Sequence, residues 1–286
     1  MPRSNYHYPG YERSGTTYWT KTTLLYAGVI GTALLWSLPF WWTLATSFTS
    51  DPSTTSVALA PSDVTFEHFR ALFETQPVGR WFFNTIVFAG AVTAFNLVFD
   101  SLAGYALAKV DFIGRDKLFL LFVSTMMIPG MVTLIPVYVL LSELGWVNTY
   151  QGLIAPMIAN PIGIFLLRQH FKSMPSALGE AAQIDGCNQL QTFYKVYLPL
   201  AKPALATLGI YTFITTWNNF EWPLIIMGDS NMYTLPVALF SVRNQYFTEW
   251  GIVMAAAVVI VMPVILVFLS AQRYFIQGMT LSGMKG

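Results

Sequence analysis

Residues 81–108 read WFFNTIVFAGAVTAFNLVFDSLAGYALA, a run of 28 residues in which Asp100 is the single charged side chain. A helix needs about 20 mostly apolar residues to cross a bilayer, and this run exceeds that length. It lacks the strict alternation of apolar and polar residues that is typical of transmembrane strands. The run therefore predicts a membrane-spanning helix.

The composition of the 286-residue chain agrees with an integral membrane protein. Hydrophobic residues make up 55% of the chain and charged residues only 10%, whereas soluble domains carry about 25% charged residues. A formal net charge of +1 argues against a polyanion-binding protein, so nucleic acid is not an expected partner. One cysteine and three dispersed histidines offer neither a disulfide framework nor the spacing of a metal site.

Six stretches of the sequence are apolar enough to cross a bilayer. They cover about residues 24–46, 81–108, 118–141, 150–168, 199–227 and 250–271. The predicted fold is therefore an all-α integral membrane protein with a six-helix domain over residues 24–271. Residues 1–23 and 272–286 are predicted to be its N-terminal and C-terminal tails, the latter too polar to continue the last helix.

The basic residues orient these predicted spans. With the N-terminus in the cytoplasm, twelve of the fifteen Lys and Arg residues fall in cytoplasmic segments, and only Arg70, Arg80 and Arg243 fall outside. An excess of Lys and Arg on the cytoplasmic side is the usual bias of membrane proteins. We therefore expect both termini in the cytoplasm, and membrane lipid around a multi-pass protein.

The cytoplasmic loop between the fourth and fifth predicted spans, about residues 169–198, contains helix signals of its own. Pro175 and Ser176 are typical of a helix start, and Gly186 is a natural C-terminal cap. Glu180 lies in the first turns, where a negative charge favours the helix dipole. A compact pair of short helices with an elbow at Gly186 suits docking into a groove on another protein. The alternative is a loop that merely joins two spans.

The motifs of nucleotide hydrolysis and of hydrolytic catalysis are absent from the sequence. It contains no G-x-x-x-x-G-K-[ST] phosphate loop and no G-x-S-x-G or H-E-x-x-H motif. We therefore expect a protein that is not an enzyme. If it moves a solute by means of nucleotide hydrolysis, the ATPase must be another chain. The 169–198 loop would then be the docking site of that ATPase.

The same loop carries a spaced pattern of residues, which are Glu180-Ala181-Ala182, Asp185-Gly186 and Val196-Tyr197-Leu198-Pro199. This pattern resembles the cytoplasmic signature of permease subunits of binding-protein-dependent ABC importers: Glu-Ala-Ala, three residues, Gly, nine residues, Ile-x-Leu-Pro. Val196 in place of Ile is the sole departure. The resemblance implies that residues 169–198 form a coupling loop, which contacts the ATPase.

Three further stretches extend the resemblance. Residues 101–109 and 217–224 resemble the carbohydrate-uptake branch of the family, and residues 272–286 resemble the tail of the maltose-system permeases, which reaches the ATPase pair. By this resemblance Gly278, Gly283 and Lys285 are expected to contact the ATPase. The branch takes up sugars, oligosaccharides and glycerol-phosphate-type solutes.

The resemblance also implies an architecture and a set of partners. It implies a type I ABC importer permease fold in the inner or plasma membrane of a prokaryote. The expected partners are a second homologous permease, two ATPase subunits and an external solute-binding protein. ATP and Mg would be used by the ATPase, and no cofactor is expected on this chain.

The fifth predicted span carries a cluster of polar and aromatic residues, namely Trp217, Asn218, Asn219 and Glu221. An acidic side chain at a helix centre costs about 2.5–3.5 kcal/mol on insertion scales, so Glu221 should not face lipid. Amides and carboxylates can hydrogen-bond sugar hydroxyls, and an indole can pack on a sugar ring. The cluster is therefore a candidate for the translocation path. Alternatively, Asn218 or Glu221 holds two helices together, or Glu221 lies at the outer mouth.

A different class of transporter remains as an alternative. A secondary transporter or channel driven by ion gradients would use Asp100 and Glu221, the acidic residues within the predicted spans, as proton or ion sites. Such transporters often contain internal repeats with broken helices. No convincing repeat is found in this sequence.

Overall fold

A computed structural model of the chain describes the backbone of residues 16–50, 63–246 and 249–283. Side chains are described for residues 19–50, 63–246, 249–266 and 269. Within these ranges the regular elements are helices, and the one β-type pairing there is an isolated bridge between Thr49 and Val64. The predicted all-α class is confirmed.

The described helices follow one another in chain order with short connections. They are α1 (Thr16–Ser47), α2 (Glu67–Thr75), α3 (Val78–Lys109), α4 (Arg115–Thr125), α5 (Gly130–Glu143), α6 (Tyr150–Ile154), α7 (Pro161–Ser173), α8 (Ala177–Ile184), α9 (Gln189–Thr192), α10 (Leu198–Leu200), α11 (Lys202–Trp217), α12 (Glu221–Ile226), α13 (Leu235–Gln245) and α14 (Trp250–Gly283). A π-helical turn, Phe193–Tyr197, joins α9 to α10.

Helix α3, which contains the apolar run 81–108, is the central element. It packs against α7 and α11, and α14 packs against α1, α11 and α2. At the crossing of α3 with α7, a Cβ on Gly104 would lie 2.9 Å from the backbone nitrogen of Arg168. Only glycine permits so close an approach of the two backbones.

Buried side chains form three clusters around α3. The first, which includes Trp81, Trp217 and Ile260, joins α3 and α11 to α14. The second, which includes Phe88, Leu153 and Trp222, joins α3 to α6 and α12. The third joins the 169–198 loop to α3 and α11 and includes Tyr105, Phe171, Phe193, Tyr197 and Leu208.

Two of the predicted spans are bent in the structure. Helices α4 and α5, predicted as one span, meet at 97°, and α6 with its following turn meets α7 at 41°. Pro129 immediately precedes α5 and Pro161 begins α7, and a proline disfavours helical geometry at the residue before it. In the described part of the chain, α1 and α3 are long and apolar enough to cross a membrane, and each bent pair would add one span. The six-span count stays a prediction.

The prediction of a single fifth span over 199–227 is wrong in its second half. Helix α11 ends at Trp217 and α12 begins at Glu221. Side-chain amides bond to the backbone on both sides of this break. Asn218 Nδ2 donates to the carbonyl oxygen of Ile214 over 2.8 Å, and Asn219 Oδ1 accepts from the backbone nitrogen of Trp222 over 3.3 Å. Glu221 is therefore not at a helix centre, but at a helix start, and it is exposed.

The C-terminal third differs from the sequence prediction in two further helices. Helix α14 continues to Gly283, although the last span was expected to end at about residue 271. Helix α13 lies in a segment predicted as an outer loop. Pro236 near the start of α13 is a helix-start signal that could have indicated it.

Candidate functional site

The first half of the 169–198 loop folds as its sequence predicts. Helix α8 begins directly after Ser176, and Gly186 has a φ of 83°. The backbone nitrogen of Gly186 donates to the carbonyl oxygen of Gln183 over 3.0 Å, and that of Cys187 donates to Ala182 over 2.9 Å. These two bonds constitute a Schellman motif, in which glycine supplies the left-handed residue. The predicted glycine cap is confirmed.

Helix α8 has one face buried against the second half of the loop. Gly179 and Ala182 are buried, and a Cβ on Gly179 would lie 2.9 Å from the Tyr197 hydroxyl oxygen. That hydroxyl donates to the carbonyl oxygen of Pro175 over 3.4 Å. Burial raises the pKa of the Tyr197 hydroxyl above its ordinary value, which further favours the neutral form that donates this bond. The two arms of the loop therefore pack as one unit.

The opposite face of α8 is exposed, and together with the turn that follows it carries four of the nine signature residues. Glu180, Ala181, Asp185 and Gly186 are exposed. Beside them the side chain of Ile184 is 86% exposed. Small residues around an exposed aliphatic side chain make a surface that another protein can cover closely.

The end of the signature connects the loop to the core. Leu198 packs against the third buried cluster, and Ala201 beyond it is fully buried. Pro199, the second residue of α10, is exposed. The signature thus divides into residues that hold the loop in place, Ala182 and Leu198, and residues that remain on its surface.

The break between α11 and α12 borders two adjoining clefts. One, of about 300 Å³, is lined by polar side chains from α3, α11 and the start of α7, which include Asn96, Asn160, Thr212, Thr215 and Asn219. The other, of about 390 Å³, is lined by residues that include Thr133, Met157, Asn219, Glu221 and Trp222. Asn219 borders both clefts, so the break brings one predicted path residue to the point where they meet.

The clefts offer neutral hydrogen-bonding groups and one carboxylate. Thr212 Oγ1 is buried and has no hydrogen-bond partner among the described residues. Asn96 Nδ2 donates to the carbonyl oxygen of Met157 over 2.6 Å, which leaves its own oxygen available as an acceptor. Of the described side chains that line the two clefts, Glu221 is the only charged one.

Trp217 and Asn218, the other two predicted path residues, line neither cleft. The indole of Trp217 is 1% exposed, packs on Phe82 and Phe213, and donates to the carbonyl oxygen of Ile260 over 3.3 Å. It is therefore a core residue in this conformation and cannot stack on a solute. Trp222 is the tryptophan that reaches a cleft, and Asn96, Asn160 and Thr212 are lining residues that the sequence analysis missed.

Asp100 is buried and lines neither cleft. Its Oδ1 accepts a hydrogen bond of 2.9 Å from the backbone nitrogen of Asn160. Its Oδ2 lies where a Cβ on Gly163 would collide with it. Asp100 therefore fastens the start of α7 to α3, which is a structural position rather than a solvent-accessible ion site.

The predicted tail residues lie at the end of α14 and beyond it. Gly278 and Gly283 are within α14, but their surroundings and Lys285 lie outside the described residues. Their expected contact with an ATPase stays a prediction.

Comparison with known proteins decides the family. Residues 100–281 match the family described as the binding-protein-dependent transport system inner membrane component. The chain belongs to this family of ABC importer permeases. Membership makes the permease a transport subunit rather than an enzyme, and it decides against the ion-gradient alternative.

Two curated relatives cover most of the permease. It is 38% identical over 227 residues to the arabinooligosaccharides transport system permease protein AraQ of Halalkalibacterium halodurans, an alignment that covers 79% of this chain and 81% of the relative. It is 32% identical to the trehalose/maltose transport system permease protein MalG of Thermococcus litoralis, over 93% of this chain and 98% of the relative.

A solved structure has the same fold. The permease superposes with a TM-score of 0.80 and 28% identity on a chain from a bacterial ABC transporter involved in the import of the acidic polysaccharide alginate. The match covers 93% of this chain and 99% of the other. The permease therefore has the type I ABC importer permease fold.

Proposed function

We propose that the permease forms half of the translocation pathway of an ATP-driven carbohydrate importer, and that α8 connects it to a separate ATPase. The observation that carries this proposal is the division of the signature. Ala182 and Leu198 hold the loop on the core, whereas Glu180 and Ala181 on α8 and Gly186 just beyond its end remain exposed. The curated relatives named above transport arabinooligosaccharides and trehalose or maltose, which supports a sugar or oligosaccharide as the solute.

The chemistry of the clefts supports an uncharged solute. Asn96, Asn160, Thr212 and Asn219 can exchange hydrogen bonds with sugar hydroxyls, and Trp222 offers an apolar wall. No basic side chain lines either cleft in the described part of the chain. A polyanion would therefore find no counter-charge in these clefts, and Glu221 would repel it. We infer a neutral sugar or oligosaccharide, in contrast to the acidic alginate of the structural relative.

The proposed assembly follows from the family and from the charge pattern. The permease pairs with a second homologous permease, receives solute from an external binding protein and rests on two ATPase subunits, which bind ATP and Mg. It crosses the cell membrane of a prokaryote six times with both termini in the cytoplasm. Gly278, Gly283 and Lys285 extend the contact with the ATPase pair.

The test replaces one exposed isoleucine on the α8 face. Ile184→Asp should abolish co-purification of the ATPase and solute uptake, because it places a charge in the proposed contact. Ile113→Asp is the matched control, since Ile113 is also highly exposed, between α3 and α4, but is not on α8. Normal co-purification and uptake in Ile184→Asp, measured with the full complex in proteoliposomes, would refute the assignment of the contact.

A further inference from the structure

Two residues near the end of α3 contact the coupling loop from outside it. The Tyr105 hydroxyl oxygen lies 3.2 Å from the backbone oxygen and 3.1 Å from the Oε1 of Gln189, the first residue of α9. Lys109 Nζ donates to the carbonyl oxygen of Met174 over 2.6 Å. Because Tyr105 and Lys109 are four residues apart on a helix, both side chains lie on one face of α3.

These contacts hold the loop on either side of α8. Met174 precedes α8 and Gln189 follows it, so each arm of the loop is tied to the same helix. The Lys109 ammonium also lies 5.3 Å from the centre of the Tyr197 ring, within cation–π range. The Tyr105 ring packs on the rings of Phe193 and Tyr197, with centres 5.1 and 5.4 Å away.

The helix that receives these contacts is not a sequence neighbour of the loop. The loop is joined covalently to α7 and α11, whereas α3 ends eighty residues before the far arm of the loop begins at Gln189. Helix α3 also carries Asn96, which lines the polar cleft. Nine residues of helix separate Asn96 from Tyr105, a rise of about 14 Å. One continuous helix therefore connects the contacts to the loop with the wall of the polar cleft.

We propose that Tyr105 and Lys109 form a clamp that makes α3 move with the coupling loop, so that ATPase movement reaches the polar cleft through α3. Neither side chain lines a cleft or belongs to the exposed α8 face. They are therefore positioning residues, which act through the loop. The clamp rests on the proposed function, because it needs α8 to be the ATPase contact.

The variants for the test remove the polar contacts and keep the packing. Tyr105→Phe removes the hydroxyl but retains the ring, and Lys109→Met removes the ammonium but retains the aliphatic chain. Lys109→Arg keeps a charged donor and should rescue the function. Lys117→Met is the matched control, since Lys117 is exposed in α4 and the same charge is lost.

The full importer in proteoliposomes should give a selective defect. We expect both variants to retain ATPase co-purification and basal ATP hydrolysis. The ratio of solute moved to ATP hydrolysed should fall at least about fivefold, which is the lower end of the coupling factors that are typical between two sites. Lys109→Arg should restore this ratio. A purely structural role would instead lower assembly and hydrolysis together with uptake.

Two results would overturn the clamp. One is an unchanged ratio of solute to ATP in both variants. The other is loss of the assembled complex in both, which would show that the residues only shape the loop. The assignment of α8 as the ATPase contact is tested separately, because normal ATPase co-purification with the Ile184→Asp variant would refute it.

Discussion

The elbow at Gly186 offers a sharp test of how the coupling loop is built. Gly186 has a φ of 83°, and its two flanking hydrogen bonds close α8. A Cβ at this position would meet no atom within 4 Å. The effect of Gly186→Ala therefore comes from backbone conformation alone, without a packing clash.

The magnitude follows from that conformation. A residue with a Cβ in the left-handed region costs roughly 1–2 kcal/mol relative to the right-handed one. Such a change shifts a local folding equilibrium by a factor of about 5–30. We therefore expect Gly186→Ala to weaken the ATPase affinity of the permease by up to that factor, and Gly186→Val to weaken it further, while membrane insertion is unchanged.

The assay is titration of the purified ATPase onto the permease complex, with solute uptake measured in parallel. Gly114→Ala is the matched control, because Gly114 has a φ of 88° and equally open surroundings, but lies before α4. Gly186→Asn should be milder than Gly186→Ala, since asparagine tolerates the left-handed region. Equal affinity for the wild type and for Gly186→Ala, or an equal loss in Gly114→Ala, would refute the reasoning.

Two further predictions concern the cleft and the helix crossing. In a Cys187→Ala background, cysteines at positions 219 and 221 should react with a water-soluble thiol reagent, because both positions line a cleft. A cysteine at the buried position 217 should not react. If positions 219 and 221 were protected in every nucleotide state, they would not belong to the translocation path. Gly104→Ala should lower the free energy of unfolding of the detergent-solubilised permease by about 1–3 kcal/mol through overpacking, and so lower its melting temperature. A Cβ at Gly90 on the same helix meets no atom within 4 Å, so Gly90→Ala should be neutral or stabilising. Equal melting temperatures of the two variants would contradict the close crossing of α3 and α7.

The sequence alone determined the features that depend on local chemistry. The apolar run 81–108 predicted the central helix, because chain length and hydropathy decide whether a segment can cross a bilayer. The helix start at Ser176 and the cap at Gly186 were also predictable, since both depend on the backbone preferences of a few adjacent residues. The spaced signature of the loop then indicated the family.

The tertiary structure decided which residues of each helix are covered and where the spans break. Hydropathy averages over a window, so residues 199–227 looked continuous, although the helix breaks between Trp217 and Glu221. Asn218 and Asn219 bond to the backbone on the two sides of that break. The same average could not tell Trp217 in the core from Trp222 at a cleft. A break is tolerated in an apolar segment only where freed backbone groups find partners. Packing between distant segments brings those partners together, as it brings Lys109 to the carbonyl oxygen of Met174. A local sequence pattern does not show which distant segments will pack.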